Sequence, residues 1–344
     1  MDTLSHGLSG ALLASACTPR RHRPAGREAR VWLLAGFVGG VFPDIDFLLR
    51  AFGTLFYLQW HQGPTHSLLL VPVWAWLLAQ LLSFACRGRY QWQTFFIPLC
   101  LGLLAHIAGD VITSYGTMLF APVSMARFSV PVAFVIDAYF AAIVVLGMAI
   151  VLRWPAISRQ AALVSLLMLT GYVTFLFSQH QAALSAARAA AGPDEAVYAL
   201  AQPLSPRHWK LIRAQDDAWL QAHVRIRGES ARVPLALTPG LRELAEAYSP
   251  VDAANWQWYP RMHAAAEGTV GSAWRAPALR GFRAFAEYPT VLESDHGPGR
   301  SCVAFVDLKY TLPGRSPSYR FDACRSDTQG LWQLERRRGS LWLD

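Results

Sequence analysis

Long apolar runs dominate the first half of the chain, and short alternating ones the second. A hydrocarbon core about 30 Å thick needs roughly 20 apolar residues of helix. Residues 67–86, 94–113, 132–152 and 161–178 meet or approach that length. Residues 31–49 form a fifth run, interrupted by Pro43, Asp44 and Asp46. Residues 4–17 form a shorter sixth, which is either a tilted span or a half-inserted helix. The pattern predicts five or six membrane helices over residues 1–179. Residues 180–344 predict a separate mixed domain. There, residues 181–191 extend the last span until Gly192-Pro193, and 207–223 and 239–247 have helical character. Residues 301–311 and 318–324 read as strands joined across Pro313-Gly314-Arg315, with 330–337 as a third. The expected fold class is an α-helical multi-pass membrane domain followed by a small soluble α+β domain with an antiparallel hairpin.

Composition agrees with that division. The chain is 53% hydrophobic and 16% charged, against about 25% charged in ordinary soluble domains, which also excludes a disordered chain. Residues 1–179 hold 11 Lys+Arg and 6 Asp+Glu, and residues 180–344 hold 20 and 17. The net charge of +8 therefore matters less than its placement, and it points to no nucleic-acid partner. Arg20, Arg21, Arg23, Arg27 and Arg30 precede the run at 31–49, Arg87 and Arg89 follow the next, and Arg153 and Arg159 separate the last two. The alternate connections carry only Arg50 and Arg127. The positive-inside rule makes the arginine-rich loops cytoplasmic and sets residues 51–64, 114–131 and the C-terminal half outside an inner, cytoplasmic membrane. Residues 1–17 do not read as a cleaved signal peptide, because they lack a basic n-region and carry Asp2 and His6. Pairing Cys302 with Cys324 centres the hairpin on Pro313 and predicts a disulfide in an oxidising compartment. Cys17, Cys86 and Cys100 read as packing residues.

Ionisable groups inside spans are costly and mark sites or pathways. Of the six acids in the first 179 residues, only Glu28 lies in a basic loop; Asp2, Asp44, Asp46, Asp110 and Asp137 lie in or at the ends of apolar runs. His6, His61, His66 and His106 accompany them, whereas His22 lies in the arginine loop. The topology brings all of these to one leaflet, with Asp137 in the second turn of its span. His106-x-x-x-Asp110 sets two side chains on one helix face. Gly63-Pro64 supplies a turn between His61 and His66, with Thr65 placed to cap the next span. Pro43 bends its helix so that Asp44 and Asp46 can approach one centre. Imidazole and carboxylate together suit Zn or Mn, as one or two ions. The expected ligands are His6, Asp44, Asp46, His61, His66, His106 and Asp110, with Asp137 or Asp44 as general base. Other readings of single residues stand beside this one. Asp2 and His6 could form an N-terminal cap, Asp137 could pair with Arg127, and Asp44 and Asp46 could line an ion route.

Four motifs occur in order: Asp2-x-x-x-His6, Gly39-Gly40-x-x-Pro43-Asp44-x-Asp46, His61-x-Gly63-x-Thr65-His66-Ser67, and His106-x-x-x-Asp110-x-x-Thr113-Ser114-Tyr115-Gly116-Thr117. Over about residues 1–150 the chain resembles the LexA-binding, inner-membrane-associated metal-dependent hydrolase family. The resemblance implies a multi-helix membrane protein with a hydrolase site, supported by Asp2, Thr65, Ser67, Thr113 and Ser114 around the ligands. It also implies that Asp137 corresponds to the family's Asp before the fourth span. Gln62 stands where members often carry Arg. LexA binding is implied by the family name alone, with no residue here to carry it. The His-x-x-x-Asp pair is similar, more faintly, to that of zinc phospholipases C and related nucleases.

The C-terminal half holds no triad, P-loop or dinucleotide fingerprint. Its Trp256, Trp258, Tyr259 and Trp274 read as core, and Arg336-Arg337-Arg338 as a solvated strand edge. The leading functional expectation is a membrane-embedded metal-dependent hydrolase acting on a phosphoester or other ester of a lipid-like substrate at the outer leaflet. The alternatives are an ion- or proton-coupled transporter and a metal-stabilised anchor for the C-terminal domain.

Overall fold

The computed structural model describes residues 1–19, 26–227, 238–262, 267–297, 299–326 and 330–335. Arg20, Arg21, His22 and Arg23 of the arginine loop, and Arg336-Arg337-Arg338, lie outside the described residues. The chain divides into two compact units. The first comprises Met1–Leu49, Trp60–His180 and Ala201–Pro206, and the second Arg50–Gln59, Gln181–Leu200 and Arg207–Asp344.

The first unit is helical. Helix α1 (Thr3–Cys17) starts where the Asp2 carboxylate accepts the Ser5 amide at 2.9 Å. Helix α2 (Arg27–Val41) passes into a three-ten segment, Phe42–Phe52. Pro43 withholds the backbone donor that would continue the α ladder, and the tighter winding carries Asp44 and Asp46. After α3 (Thr54–Trp60) come three-ten turns at Pro64–His66 and Leu68–Leu70. Helices α4 (Val71–Ala85), α5 (Trp92–Val111), α6 (Ala138–Arg153) and α7 (Ser158–Ala189) follow. Two local expectations change. Ser67, not Thr65, caps the next segment, its hydroxyl accepting Leu69 N at 3.2 Å. The run at 132–152 is helical only from Ala138, because Val132 and Ala133 donate backbone bonds to Ile112 O. Asp137 is therefore the N-cap of α6, not a residue of its second turn.

Four helical stretches are long and apolar enough to cross a membrane: Arg27–Phe52, Leu68–Ala85, Trp92–Val111 and Pro155–Ala189. Ala138–Arg153 is a shorter apolar helix. Their outer surfaces expose Leu81, Phe84, Leu146 and Leu167, while His6, Asp46, His66, His106 and Asp110 are buried. Apolar outside and ionisable inside is an arrangement suited to lipid. One apolar cluster joins α1, α6 and α7 through Leu12, Val144, Met148 and Leu169. Another joins α2, α4 and α5 through Ala35, Ala75, Leu99 and Leu103.

Helices α1, α2 and α5 cross at glycines. A Cβ on Gly102 of α5 would lie 2.2 Å from Gly36 O, and one on Gly40 of α2 would lie 2.5 Å from His6 O. Small residues are what allow such backbone contact between membrane helices. This contact sets His6 of α1 against His106 of α5.

The second unit holds two sheets. In the first, β1 (Ala196–Ala201), β2 (His208–Ala214), β3 (Ala218–Arg225) and β4 (Ser249–Pro250) lie in that order, and β5 (Gln257–Pro260) also pairs with β3. The helical expectation for residues 207–223 is thus overturned by a β2–β3 hairpin in register from His208↔Arg225 to Ala214↔Trp219. Both strands are buried along most of their length, so neither periodicity is written into the segment, and its Lys, Leu, Arg, Gln and Ala favour helix on propensity alone. Short helices α8 (Pro239–Glu246), α9 (Gly268–Arg275) and α10 (Arg280–Phe285) accompany the sheets. The second sheet is β6 (Pro289–Gly297), β7 (Arg300–Asp307), β8 (Arg320–Ser326) and β9 (Gln333–Glu335), antiparallel throughout. Cys302 and Cys324 are register partners joined by a disulfide. Of the aromatic stretch, Trp274 is buried but Trp258 is exposed, so only part of it is core.

Candidate metal centre

Four segments deliver ionisable side chains to one buried place in the first unit. The His106 Nε2 and His66 Nε2 atoms lie 3.0 Å apart, and each is 3.2 Å from Asp110 Oδ2. His6 Nε2 lies 3.0 Å from Asp110 Oδ1 on the other side of the carboxylate, and its ring stacks on His106 at 3.7 Å between centroids. The Met1 α-ammonium is 2.7 Å from the same Oδ1. Asp44 Oδ1 approaches His106 Nε2 to 3.7 Å. Two overlapping groups result, His6–Asp44–His106 and His66–His106–Asp110, each with ligand atoms within 4.8 Å of one another.

The outer nitrogens show which way the rings face. His106 Nδ1 is 2.6 Å from Gly40 O, a pure acceptor, so Nδ1 carries a proton and, in the neutral ring, Nε2 presents the lone pair. His66 Nδ1 is 2.9 Å from Thr65 Oγ1 and 3.5 Å from Asp46 Oδ2, which turns its Nε2 toward His106. Two imidazole Nε2 atoms and a carboxylate oxygen thus converge at about hydrogen-bond distance in a buried interior. Such an arrangement repels itself unless a cation or proton sits among the three. Asp110 Oδ2 and His6 Nε2 have no hydrogen-bond partner of acceptable geometry among the described residues. The donor set therefore fits a divalent ion, with nitrogen and oxygen ligands suited to Zn or Mn.

Asp46, expected as a ligand, has a different place. Its Oδ1 is 2.7 Å from His61 Nδ1, and its Oδ2 accepts Gln62 N at 3.0 Å and Thr65 Oγ1 at 3.3 Å. It orients His61 and His66 rather than joining the converging set, the arrangement in which a carboxylate behind a histidine fixes its tautomer. His61 stands edge-on to His66 with centroids 5.9 Å apart and is outside both ligand groups. Asp137 is not brought to the cluster. Its Oδ1 accepts Tyr139 N and Phe140 N, each at 2.9 Å, and Tyr172 donates to Oδ2 at 2.8 Å. It caps a helix, which removes the reason for treating it as a general base. Asp2 caps α1 and so sets the phase of His6. Thr113 Oγ1 donates to Asp110 O at 2.8 Å, Ser67 Oγ donates to Ala121 O at 2.6 Å, and Ser114 is half-buried in the bend after α5.

Several participants were not foreseen. Gln62 has φ 57°, a conformation unfavourable for a side-chain-bearing residue. It is held there by Asp46, by Met118 N donating to Gln62 O at 2.9 Å, and by Thr117 Oγ1 donating to Oε1 at 3.0 Å. Arg127 donates to His61 O at 3.2 Å and Gly116 O at 2.7 Å and lies over the Tyr115 ring. It places a guanidinium against the very motif in which Gln62 replaces the expected Arg. Gly40 O, as a backbone acceptor, has no residue-type signal at all.

A family model described as the YdjM inner membrane protein matches residues 1–183, which contain every residue of the cluster. Among curated proteins, the "Uncharacterized protein YfhP" of Bacillus subtilis (strain 168) is 26% identical over 127 residues. That alignment covers 36% of this chain and 38% of the relative, so the chain spans well under half the length of that relative. No solved structure matches.

Proposed function

The chain belongs to the YdjM inner membrane protein family, and on that premise we propose that its buried histidine–carboxylate cluster is a divalent-metal centre hydrolysing an ester bond of a lipid-like substrate. The observation that carries the reading is the buried meeting of His66 Nε2, His106 Nε2 and Asp110 Oδ2 within 3.0–3.2 Å. One ring nitrogen binds one ion, so the two ligand groups that share His106 compete for a single ion rather than hosting two. His66, His106 and Asp110 would hold it, with His6 completing the shell and Asp44 left beside it. A Zn or Mn ion held there would supply Lewis-acid polarisation and a water acidified toward a pKa of about 7.

The chain's own groups supply the rest. Thr3 Oγ1 donates to Asp44 Oδ2 at 2.6 Å, which holds the carboxylate while leaving Oδ1 to accept a proton from the attacking water. Arg127, which donates to His61 O and Gly116 O, is the cation we assign to the negative charge that develops on a phosphoester or carboxylate-ester oxygen. Asp46 and Gly40 O keep His66 and His106 aimed. The arginine asymmetry of the loops supports a reading in which this end of the helices lies at the outer leaflet and the C-terminal unit outside the membrane. An amphiphilic substrate suits a site at that depth.

The test is elemental analysis of the purified full-length protein, together with a screen of phospholipid and lipid-phosphate hydrolysis. One Zn or Mn per chain and metal-dependent turnover are expected, with both lost in His106→Ala. Because that variant could fail to fold, chelation of the wild-type protein followed by restoration with Zn or Mn provides the second arm. Metal bound in full without ester cleavage above that of the chelated protein would overturn hydrolysis; ion flux in proteoliposomes would then favour transport.

A further inference from the structure

At the other end of α1 from His6, roughly 15 Å along the helix at 1.5 Å per residue, a second feature of the first unit has no part in the metal chemistry. The C-terminal end of α1, the N-terminal turns of α2, the C-terminal end of α6 and the start of α7 enclose a cleft of about 680 Å³. Its polar lining includes Arg30, Arg159 and Thr18, and its apolar lining includes Leu33, Leu34 and Leu152. No carboxylate lines it among the described residues. Arg159 is steadied by donating from Nε to Ala16 O at 3.1 Å, which leaves its two terminal nitrogens for a ligand. Neither Arg30 nor Arg159 forms an ion pair among the described residues. Leu34 and Leu152 also belong to the exposed hydrophobic surface, so the cleft is continuous with the face of the bundle that meets lipid tails.

We infer that this cleft binds one anionic glycerophospholipid, its phosphodiester between Arg30 and Arg159 and its acyl chains along Leu33, Leu34 and Leu152. Charge complementarity selects the headgroup: two guanidinium groups without a counter-ion match a phosphate, which they can grip with paired N–H donors. The leucine wall selects a lipid over a soluble phosphate, since a small anion would leave that wall facing water. The volume lies within the range of built small-molecule sites, large enough for a headgroup and the first part of two chains. Basic pockets between membrane helices at the arginine-rich end are the usual setting for such recognition.

The test is native mass spectrometry of the full-length protein released from nanodiscs of equal phosphatidylglycerol and phosphatidylcholine content. Retention of one phosphatidylglycerol is expected. The double substitution Arg30→Gln/Arg159→Gln should weaken that preference by roughly twenty- to thirty-fold, about fivefold per basic group, with metal content at the distant cluster unchanged as the sign of an intact fold. Equal retention of the two lipids, or a double variant that holds phosphatidylglycerol as the wild type does, overturns the proposal. So does displacement of the lipid by millimolar glycerol 3-phosphate, which would assign the site to a soluble anion.

Discussion

Substitution of Gly102 by alanine tests whether helix contact builds the metal centre. The added Cβ would lie 2.2 Å from Gly36 O, 2.7 Å from Gly40 N and 2.9 Å from Gly39 C. All three obstacles are backbone atoms of α2, so no side chain can swing aside. Ordinary contact begins near 3.4 Å, and α2 must therefore retreat from α5 by roughly 1 Å. His106 stands one turn beyond Gly102 on α5, and its Nδ1 bond to Gly40 O, 2.6 Å long, spans this very gap. Lengthened by about 1 Å it ceases to be a hydrogen bond, and the ring loses the partner that aims Nε2. Overpacking of this kind costs about 1–3 kcal/mol of stability, and loss of a ligand's orienting partner costs about 10–100-fold in metal affinity. Metal affinity would be measured by competition with a chromophoric chelator, and stability by melting in the same detergent. Gly171→Ala is the control, because nothing lies within 4 Å of a Cβ there. If Gly102→Ala bound Zn within about threefold of the wild type, well inside the orienting-partner range, the reasoning would be refuted.

Asp46→Asn should lower metal affinity about 10–100-fold while leaving the converging ligands in place, since it weakens the acceptor behind His61 and His66; titration with a competing chelator reads this directly. Asp137→Ala should lower the melting temperature through loss of a helix cap worth about 1 kcal/mol, with metal content and turnover retained; a folded variant with no turnover would return Asp137 to catalysis. Replacing Cys302 and Cys324 together by Ser opens a loop of sequence separation 22 and should cost the second unit about 3 kcal/mol. Limited proteolysis of the full chain checks it, with unchanged metal content expected.

What could be read from residues alone depended on whether a local rule decides the matter. The His106–Asp110 pair follows from one helical turn, and the Cys302–Cys324 pairing from the symmetry of a hairpin about Pro313. The apolar runs follow from membrane thickness. Asp46 was misplaced because two carboxylates two residues apart look equivalent, and only the path of residues 61–66 decides which one faces the histidines from behind. Asp137 was misplaced because Val132 and Ala133 pair with Ile112, a contact across twenty residues that shortens an otherwise continuous apolar helix. The β2–β3 hairpin was read as helix because burial on both faces removes the alternation that marks a strand. Gly40 O and the backbone of Gln62 carry no side-chain chemistry to notice, and Arg127 lies far along the chain from the motif it touches.

The crossing of α1, α2 and α5 also has a meaning for biogenesis. His6 leaves the ribosome well before the carboxylate it faces, which arrives only with the close of α5. Until then α1 can pack Gly7 and Gly10 only against α2, and His6 has no Asp110 to face. If the cluster holds an ion as proposed, its capture is thereby tied to completed helix insertion, because a nascent chain that ends before Asp110 lacks the carboxylate on which three histidines converge.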